Sequence, residues 1–181
     1  QAGSNTASIL TTERVRQITS GYALTGGAWM TENQFMLFTE HEAYWYDITD
    51  EKALTLRRLA VFDGEGLVNP DALIQAREII FSQAGPLTAP LSSLFEGIYY
   101  AGPESIYGMS KNKTVDLLQV KDEYGRVVKQ RWKSEYKTLT QKHLIRAGYR
   151  SSTKDVYFSI PELNQIRVWS IPNRNWKIYT F

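Results

Sequence analysis

A polar turn followed by a short apolar run recurs along this chain of 181 residues. Three of these apolar runs begin at Phe35, Val115 and Val156, which are 80 and 41 residues apart. In the first and last copies a second run follows, at residues 43–47 and 165–170. A period of roughly 40 residues is the length of one propeller blade. The spacing therefore predicts stacked β-hairpins rather than a helical bundle.

The composition also favours sheet, because aromatic residues make up 13% of the chain and suit pleated, half-buried surfaces. A helix is predicted over residues 70–84, with Asn69 as its N-cap, Pro70 at its first position and Gly85 at its end. A second, shorter helix is expected after Thr11 or Thr12.

The predicted fold class is mainly β with one or two helices (α+β), built as an antiparallel meander of hairpins in propeller-like units of about 40 residues. A β-sandwich, or a sheet with a packed helix, remains an alternative. The helix over 70–84 conflicts with the repeat, since the 40-residue spacing places a hairpin near Gln75.

The charge of the chain is unevenly distributed although its net value is only +2. Residues 1–110 hold 6 Lys or Arg against 13 Asp or Glu, whereas residues 111–181 hold 15 against 6. Small polar residues predict a flexible start (1–10). The charge asymmetry and the prolines predict an acidic β-rich part ending in a helix (11–85), a Pro-rich connector (86–105) and a basic β-rich part (106–181). We expect these parts to form one globular domain.

The sequence also carries information about the cellular location of the protein. No apolar run reaches the roughly 18 residues that a membrane helix needs, which predicts a soluble chain without a span. The first residue is not Met, so we expect the chain to begin after processing, a tag or a truncation. The absence of Cys excludes disulfides and thiolate catalysis. Extracytoplasmic or virion-associated locations are slightly favoured over others.

Catalytic and cofactor motifs are missing from the sequence. Glu40, His41 and Glu42 resemble a metal-binding triplet, but in a strand His41 points away from its two neighbours. The glycines form neither a dinucleotide-binding motif nor a P-loop, and no serine-hydrolase elbow is present. The sequence therefore predicts no metal site and no cofactor, and it favours a non-enzymatic protein.

The basic stretch from Lys121 to Lys154 is the strongest candidate site. Lys129, Arg131 and Lys133 would share one face of a strand, as a strip that follows phosphates does, and Trp132 is interleaved with them. The predicted binding residues are Lys129, Arg131, Trp132, Lys133, Lys137, Arg146 and Arg150. Ordinary edge-strand lysines would give the same pattern without any ligand.

Three functions fit these observations. The first is a non-enzymatic structural or protein-interaction module of a larger assembly, such as a cell-envelope or virion component, whose acidic half meets the basic half of the next copy. The second is a domain that binds a polyanion, either nucleic acid or acidic lipid. The third is a carbohydrate-binding or carbohydrate-active protein that stacks sugars on Trp29 and Trp45. The expected partners are other protein subunits, including copies of the chain itself, or a polyanion.

Overall fold

The computed structural model describes residues 22–30, 34–50, 55–79, 93–110, 113–121, 127–130 and 132–181. Most of these residues lie in four-stranded antiparallel sheets whose strands pair in chain order. The first sheet contains β1 (Leu24–Trp29), β2 (Gln34–Thr39), β3 (Glu42–Asp50) and β4 (Thr55–Asp63).

The second sheet follows a 3-10 turn at Pro70–Ala72. Its strands are β5 (Leu73–Ile79), β6 (Ser93–Ala101), β7 (Ile106–Ser110) and β8 (Lys113–Asp116). A two-stranded hairpin of β9 (Gln119–Lys121) and β10 (Val127–Gln130) comes next, and a short helix α1 (Lys133–Thr138) follows it.

The third sheet begins after a 3-10 turn at Lys142–Leu144. It contains β11 (Arg146–Arg150), β12 (Asp155–Ile160), β13 (Gln165–Ser170) and β14 (Asn175–Thr180), with a 3-10 turn at Pro161–Leu163 between β12 and β13. Four-residue turns separate its strands. Lys154, Asn164 and Arg174 each end one of these turns in the left-handed region, with φ of 53°, 50° and 49°.

The three sheets share one buried cluster of side chains. Phe38 of the first sheet packs against Tyr100 of the second, with ring centroids 4.7 Å apart. The second and third sheets are joined by Asn69, whose amide Nδ2 donates to the Ile145 carbonyl at 2.8 Å. Gln75 on β5 donates to the Trp29 carbonyl at the end of β1. The first strands of all three sheets therefore lie near one another.

A close backbone approach holds the first and second sheets in place. The amide of Leu67 donates to the Thr39 carbonyl at 2.9 Å, which brings the loop after β4 onto the β2–β3 turn. A Cβ added at Gly66 would lie 2.3 Å from the backbone of Glu40. Glycine is required there because no side chain fits between the two segments.

The predicted fold class is confirmed: the protein is mainly β, an antiparallel meander of hairpins with one α-helix in the described part of the chain. Each sheet has the strand order of a propeller blade. The phase of the predicted repeat differs, since Phe35 and Val156 lie on the second strands of their sheets whereas Val115 lies on a fourth strand. The first strands of the three sheets begin at Leu24, Leu73 and Arg146, so successive sheets begin 49 and 73 residues apart and not about 40.

The predicted helix over residues 70–84 is wrong at residues 73–79, which form β5. The capping signal itself is real, because the Asn69 side chain accepts a hydrogen bond from the Ala72 amide and Pro70 follows it. The signal starts only one 3-10 turn. Residues 73–79 form a strand because tertiary pairing with β6 overrides their local helical periodicity.

The described residues cover the other predicted segments only in part. Within the predicted connector 86–105, residues 93–101 form strand β6. The flexible start over 1–10 and the short helix after Thr11 or Thr12 lie outside the described residues. The division into acidic and basic parts stays a prediction.

Candidate interaction surface

The predicted basic strip is interrupted by helix α1. Lys133 is the first residue of this helix and not a strand neighbour of Lys129, so the expected shared face does not form. The helix forms because Trp132 and Tyr136, four residues apart, both turn into the core, and because Glu135 and Lys137 suit the two ends of its dipole. Lys129 lies on β10, and Arg131 is outside the described residues.

Lys133 contributes to the interior contacts between elements. Its ammonium lies 2.5 Å from the Asp116 carboxylate, and both side chains are only 14% exposed. Asp116 also accepts from the Ser105 hydroxyl at 2.5 Å and from the Leu118 amide at 2.9 Å. The pair ties α1 to the end of β8, so Lys133 is already neutralised within the chain.

Two more of the predicted cations are paired with acids from the N-terminal part. Lys137 lies 2.9 Å from Glu104, and its hydrogen bond is the main cause of a lowered pKa at Glu104. Arg146 pairs with Asp71 at the start of the second sheet. Carboxylates from residues 1–110 therefore form ion pairs with cations from residues 111–181 within one copy of the protein.

Trp132 belongs to an aromatic cluster around a buried guanidinium. Arg167 on β13 lies over its ring at 4.1 Å and pairs with Glu135 at 2.5 Å. Tyr136 and Trp176 contact the same indole edge-on, with centroids 5.7 and 5.2 Å away. Because this indole is covered on all these sides, it is not a stacking platform for a base.

Arg150 is the remaining predicted binding residue. It is exposed at the end of β11, and its Nε donates to the Ser152 hydroxyl at 3.1 Å. The structure does not bring it together with Lys133 or Trp132 into one surface, since Trp132 is buried against the third sheet and Lys133 is paired with Asp116. Ligand binding by these seven residues stays a prediction.

The two tryptophans that were expected to stack sugars lie in different environments. Trp45 is in the core, whereas Trp29 is 54% exposed and packs against Phe35 with centroids 5.3 Å apart.

Burial raises the pKa values of Tyr100, Tyr107 and Tyr136 above the usual value for tyrosine. These hydroxyls therefore stay protonated at neutral pH. The Tyr136 hydroxyl serves the fold by donating to the Gly102 carbonyl at 2.6 Å.

The described residues also bear on metal binding and on membrane insertion. Among them, no cluster of three or more His, Cys, Asp or Glu side chains could hold a metal ion. No helix in the same part of the chain has the length and apolar character needed to cross a membrane.

Exposed apolar residues concentrate at the edges of the sheets, which the sequence reasoning missed. Among the described residues, six of the nine large exposed apolar ones lie on edge strands: Leu24 and Trp29 on β1, Val61 on β4, Val115 on β8, and Ile178 and Tyr179 on β14. Phe181 follows directly after β14 and is 79% exposed. An edge strand with exposed apolar side chains is a template for pairing with another strand.

Strand β14 is the most open of these edges. Within the described residues it pairs with β13 on one side and with no strand on the other. The amide of Phe181 donates to the Asn164 carbonyl on the β13 side. Because hydrogen-bonded and non-hydrogen-bonded pairs alternate in an antiparallel ladder, Lys177 and Tyr179 bond to β13 as well. The backbone groups of Trp176, Ile178 and Thr180 therefore point outwards.

A second hydrogen bond leads to the same assignment of inward and outward backbone groups on β14. The amide of Ile171 donates to the Lys154 carbonyl. The backbone N–H and C=O groups of odd-numbered residues of β13 therefore bond to β12, and those of even-numbered residues bond to β14. This again pairs Val168 with Lys177 through hydrogen bonds. The hydrogen bonds of Phe181 and Ile171 therefore both indicate that the backbone groups of residues 176, 178 and 180 point outwards.

Comparison of the chain with protein-family models and with curated proteins gave no match.

Proposed function

We propose that this protein is a non-enzymatic interaction module that assembles with other protein subunits, its own copies among them. One observation carries the proposal: the exposed large apolar residues lie mainly on edge strands, with β14 and the adjoining Phe181 as their densest group. Such edges join proteins by strand addition, in which backbone hydrogen bonds give affinity and flanking side chains give specificity.

The internal ion pairs also support this proposal over a polyanion-binding one. Lys133, Lys137 and Arg146 each lie beside a carboxylate of the same chain, so each would have to exchange that partner for a phosphate. A component of a cell envelope or a virion is one setting in which such a module would act.

Light scattering of the protein over a range of concentrations tests the proposal. We expect a mass that rises with concentration and does not change when a single-stranded oligonucleotide is added. A mass that stays at one copy up to the highest concentration would contradict self-assembly. A monomer that gains mass only with the oligonucleotide would make polyanion binding the better account.

A further inference from the structure

The geometry of β14 points to a specific partner, and we propose that two copies of this chain pair through this strand, antiparallel, about a two-fold axis at Ile178. The inference rests on the proposed function, because it names the partner and the surface of that assembly. The two third sheets would then continue across the axis as one eight-stranded sheet.

The available backbone groups select this register. An added strand bonds best when the outward residues of one copy lie opposite the outward residues of the other. With the axis at Ile178, residue 178 faces its own mate, and Trp176 faces Thr180 of the other copy in both directions. All three outward residues of each strand are then satisfied, with two bonds for each hydrogen-bonded pair.

Other registers satisfy fewer of these groups. An axis at Lys177 pairs residue 176 with 178 but moves residue 180 opposite the turn at Arg174, which lies outside the strand. An axis at Tyr179 leaves Trp176 without a partner on the facing strand. The strand bounds of Asn175–Thr180 thus make Ile178 the centre that gives the most hydrogen bonds.

Charge supports the same choice. Lys177 is the one charged residue of β14, and it is exposed. An axis at residue 177 would place the two ammonium groups directly opposite each other, which destabilises a strand pair. With the axis at Ile178, each Lys177 instead lies opposite the Tyr179 ring of the other copy, which is 53% exposed and able to accept a cation.

Apolar contact adds to the backbone bonds. Ile178 is 53% exposed in one copy and would meet its own mate at the axis. The contact is apolar and main-chain in character, so added salt should leave it intact. Dissociation by salt would instead indicate the head-to-tail contact between acidic and basic surfaces.

A pair of lysine variants tests the surface. Ile178→Lys places two like charges opposite each other at the axis, and we expect it to raise the dimer dissociation constant at least about 10-fold. Val115→Lys is the matched control, because Val115 is 47% exposed on another edge strand, β8. Circular dichroism checks that both variants keep the wild-type fold. Equal dissociation constants for the two folded variants would overturn the proposed surface.

Cysteine scanning tests the register independently, since the chain contains no Cys of its own. In the Ile178→Cys variant the two Cα atoms at the axis would lie about 5.5 Å apart, within the range for a disulfide. In Thr180→Cys the equivalent atoms would be separated by four residues, about 13 Å along the strand. We expect oxidation to cross-link the former efficiently and the latter poorly.

The outcomes separate the two proposals. A wild-type protein that stays monomeric at every concentration contradicts the proposed function and this inference together. A wild-type dimer that Ile178→Lys leaves intact, or that cross-links best through Lys177→Cys or Tyr179→Cys, overturns only the inference. The assembly would then use another surface or another register.

Discussion

Strands β13 and β14 are neighbours of similar composition, yet the structure places them in opposite environments. Both are six residues long, and each combines one cation with an aromatic and an aliphatic side chain. On β13 the cation, Arg167, is buried against Trp132 and paired with Glu135. On β14 the cation, Lys177, is exposed beside Ile178 and Tyr179. Position in the sheet, and not residue type, decides which strand serves the fold and which is open to a partner.

The largest expected effect comes from removing the aromatic cover of β13. Trp132→Ala should lower the free energy of unfolding by about 3–5 kcal/mol, because it leaves a cavity beside Arg167 and Trp176. Urea unfolding measures this loss. The control is Trp29→Ala, at an exposed site on β1, which should cost about 1 kcal/mol or less. Similar losses in both variants would contradict the difference between buried and edge positions.

The ion pair of β13 should give a smaller effect. Glu135→Gln removes the carboxylate that faces the buried guanidinium of Arg167, and we expect it to cost about 1–2 kcal/mol, since Glu135 itself is partly exposed. The matched control is Glu104→Gln, whose partner Lys137 is exposed, with an expected cost below about 0.5 kcal/mol. Chemical unfolding of both variants compares the pairs, and the reverse order of costs would argue against the buried role of Arg167.

The turn between β13 and β14 offers a change in the opposite direction. Arg174 has a φ of 49°, a conformation that costs a non-glycine residue energy. Arg174→Gly should therefore stabilise the protein by about 0.5–1 kcal/mol, measured by thermal or urea unfolding, and leave self-association unchanged. Asn164→Gly is the control, because asparagine tolerates this conformation better and should gain less. A loss of stability in Arg174→Gly would contradict the turn geometry.

The smallest expected effect is a pH dependence at the turn before the third sheet. Glu162 accepts hydrogen bonds from the Gln141 and Thr140 amides and the Thr140 hydroxyl, which lower its pKa. A lowered folded-state pKa means that the stabilisation is complete above the ordinary value of 4.5 and is lost as the pH falls through the folded-state value. Glu162→Gln should therefore be less stable than wild type at neutral pH.

Thermal unfolding across pH measures the difference between wild type and Glu162→Gln. The two curves should converge on acidification as the carboxylate of the wild type becomes protonated. A difference that stays constant down to the lowest pH at which the protein folds would show that the charge of Glu162 is not the cause.

The sequence predicted the class of fold because hairpin signals are local. The pairing of β9 with β10 and the succession of β12, β13 and β14 follow from apolar runs and turn residues a few positions apart. The helix over 70–84 was predicted from equally local signals and was wrong at 73–79, because the partner that makes this segment a strand, β6, lies well downstream. Helix α1 was missed for a related reason, since its stability depends on burying Trp132 and Tyr136 against distant strands.

The candidate site was harder to predict than the fold. A count of charges cannot show that Lys133, Lys137 and Arg146 are paired with Asp116, Glu104 and Asp71, because each pair joins different elements of the fold. The exposed edge was equally hidden. The apolar residues Ile178, Tyr179 and Phe181 look like core in the sequence, and only the sheet order shows that β14 is an edge.

Residue-resolved amide hydrogen exchange of β14 at low and high protein concentration tests the central claim most directly. In the dilute protein we expect the amides of Lys177 and Tyr179 to be protected by β13, and those of Ile178 and Thr180 to exchange freely. Concentrating the sample should then protect Ile178 and Thr180. Outward amides that exchange equally fast at every concentration, or that are already protected in the dilute protein, would contradict the account.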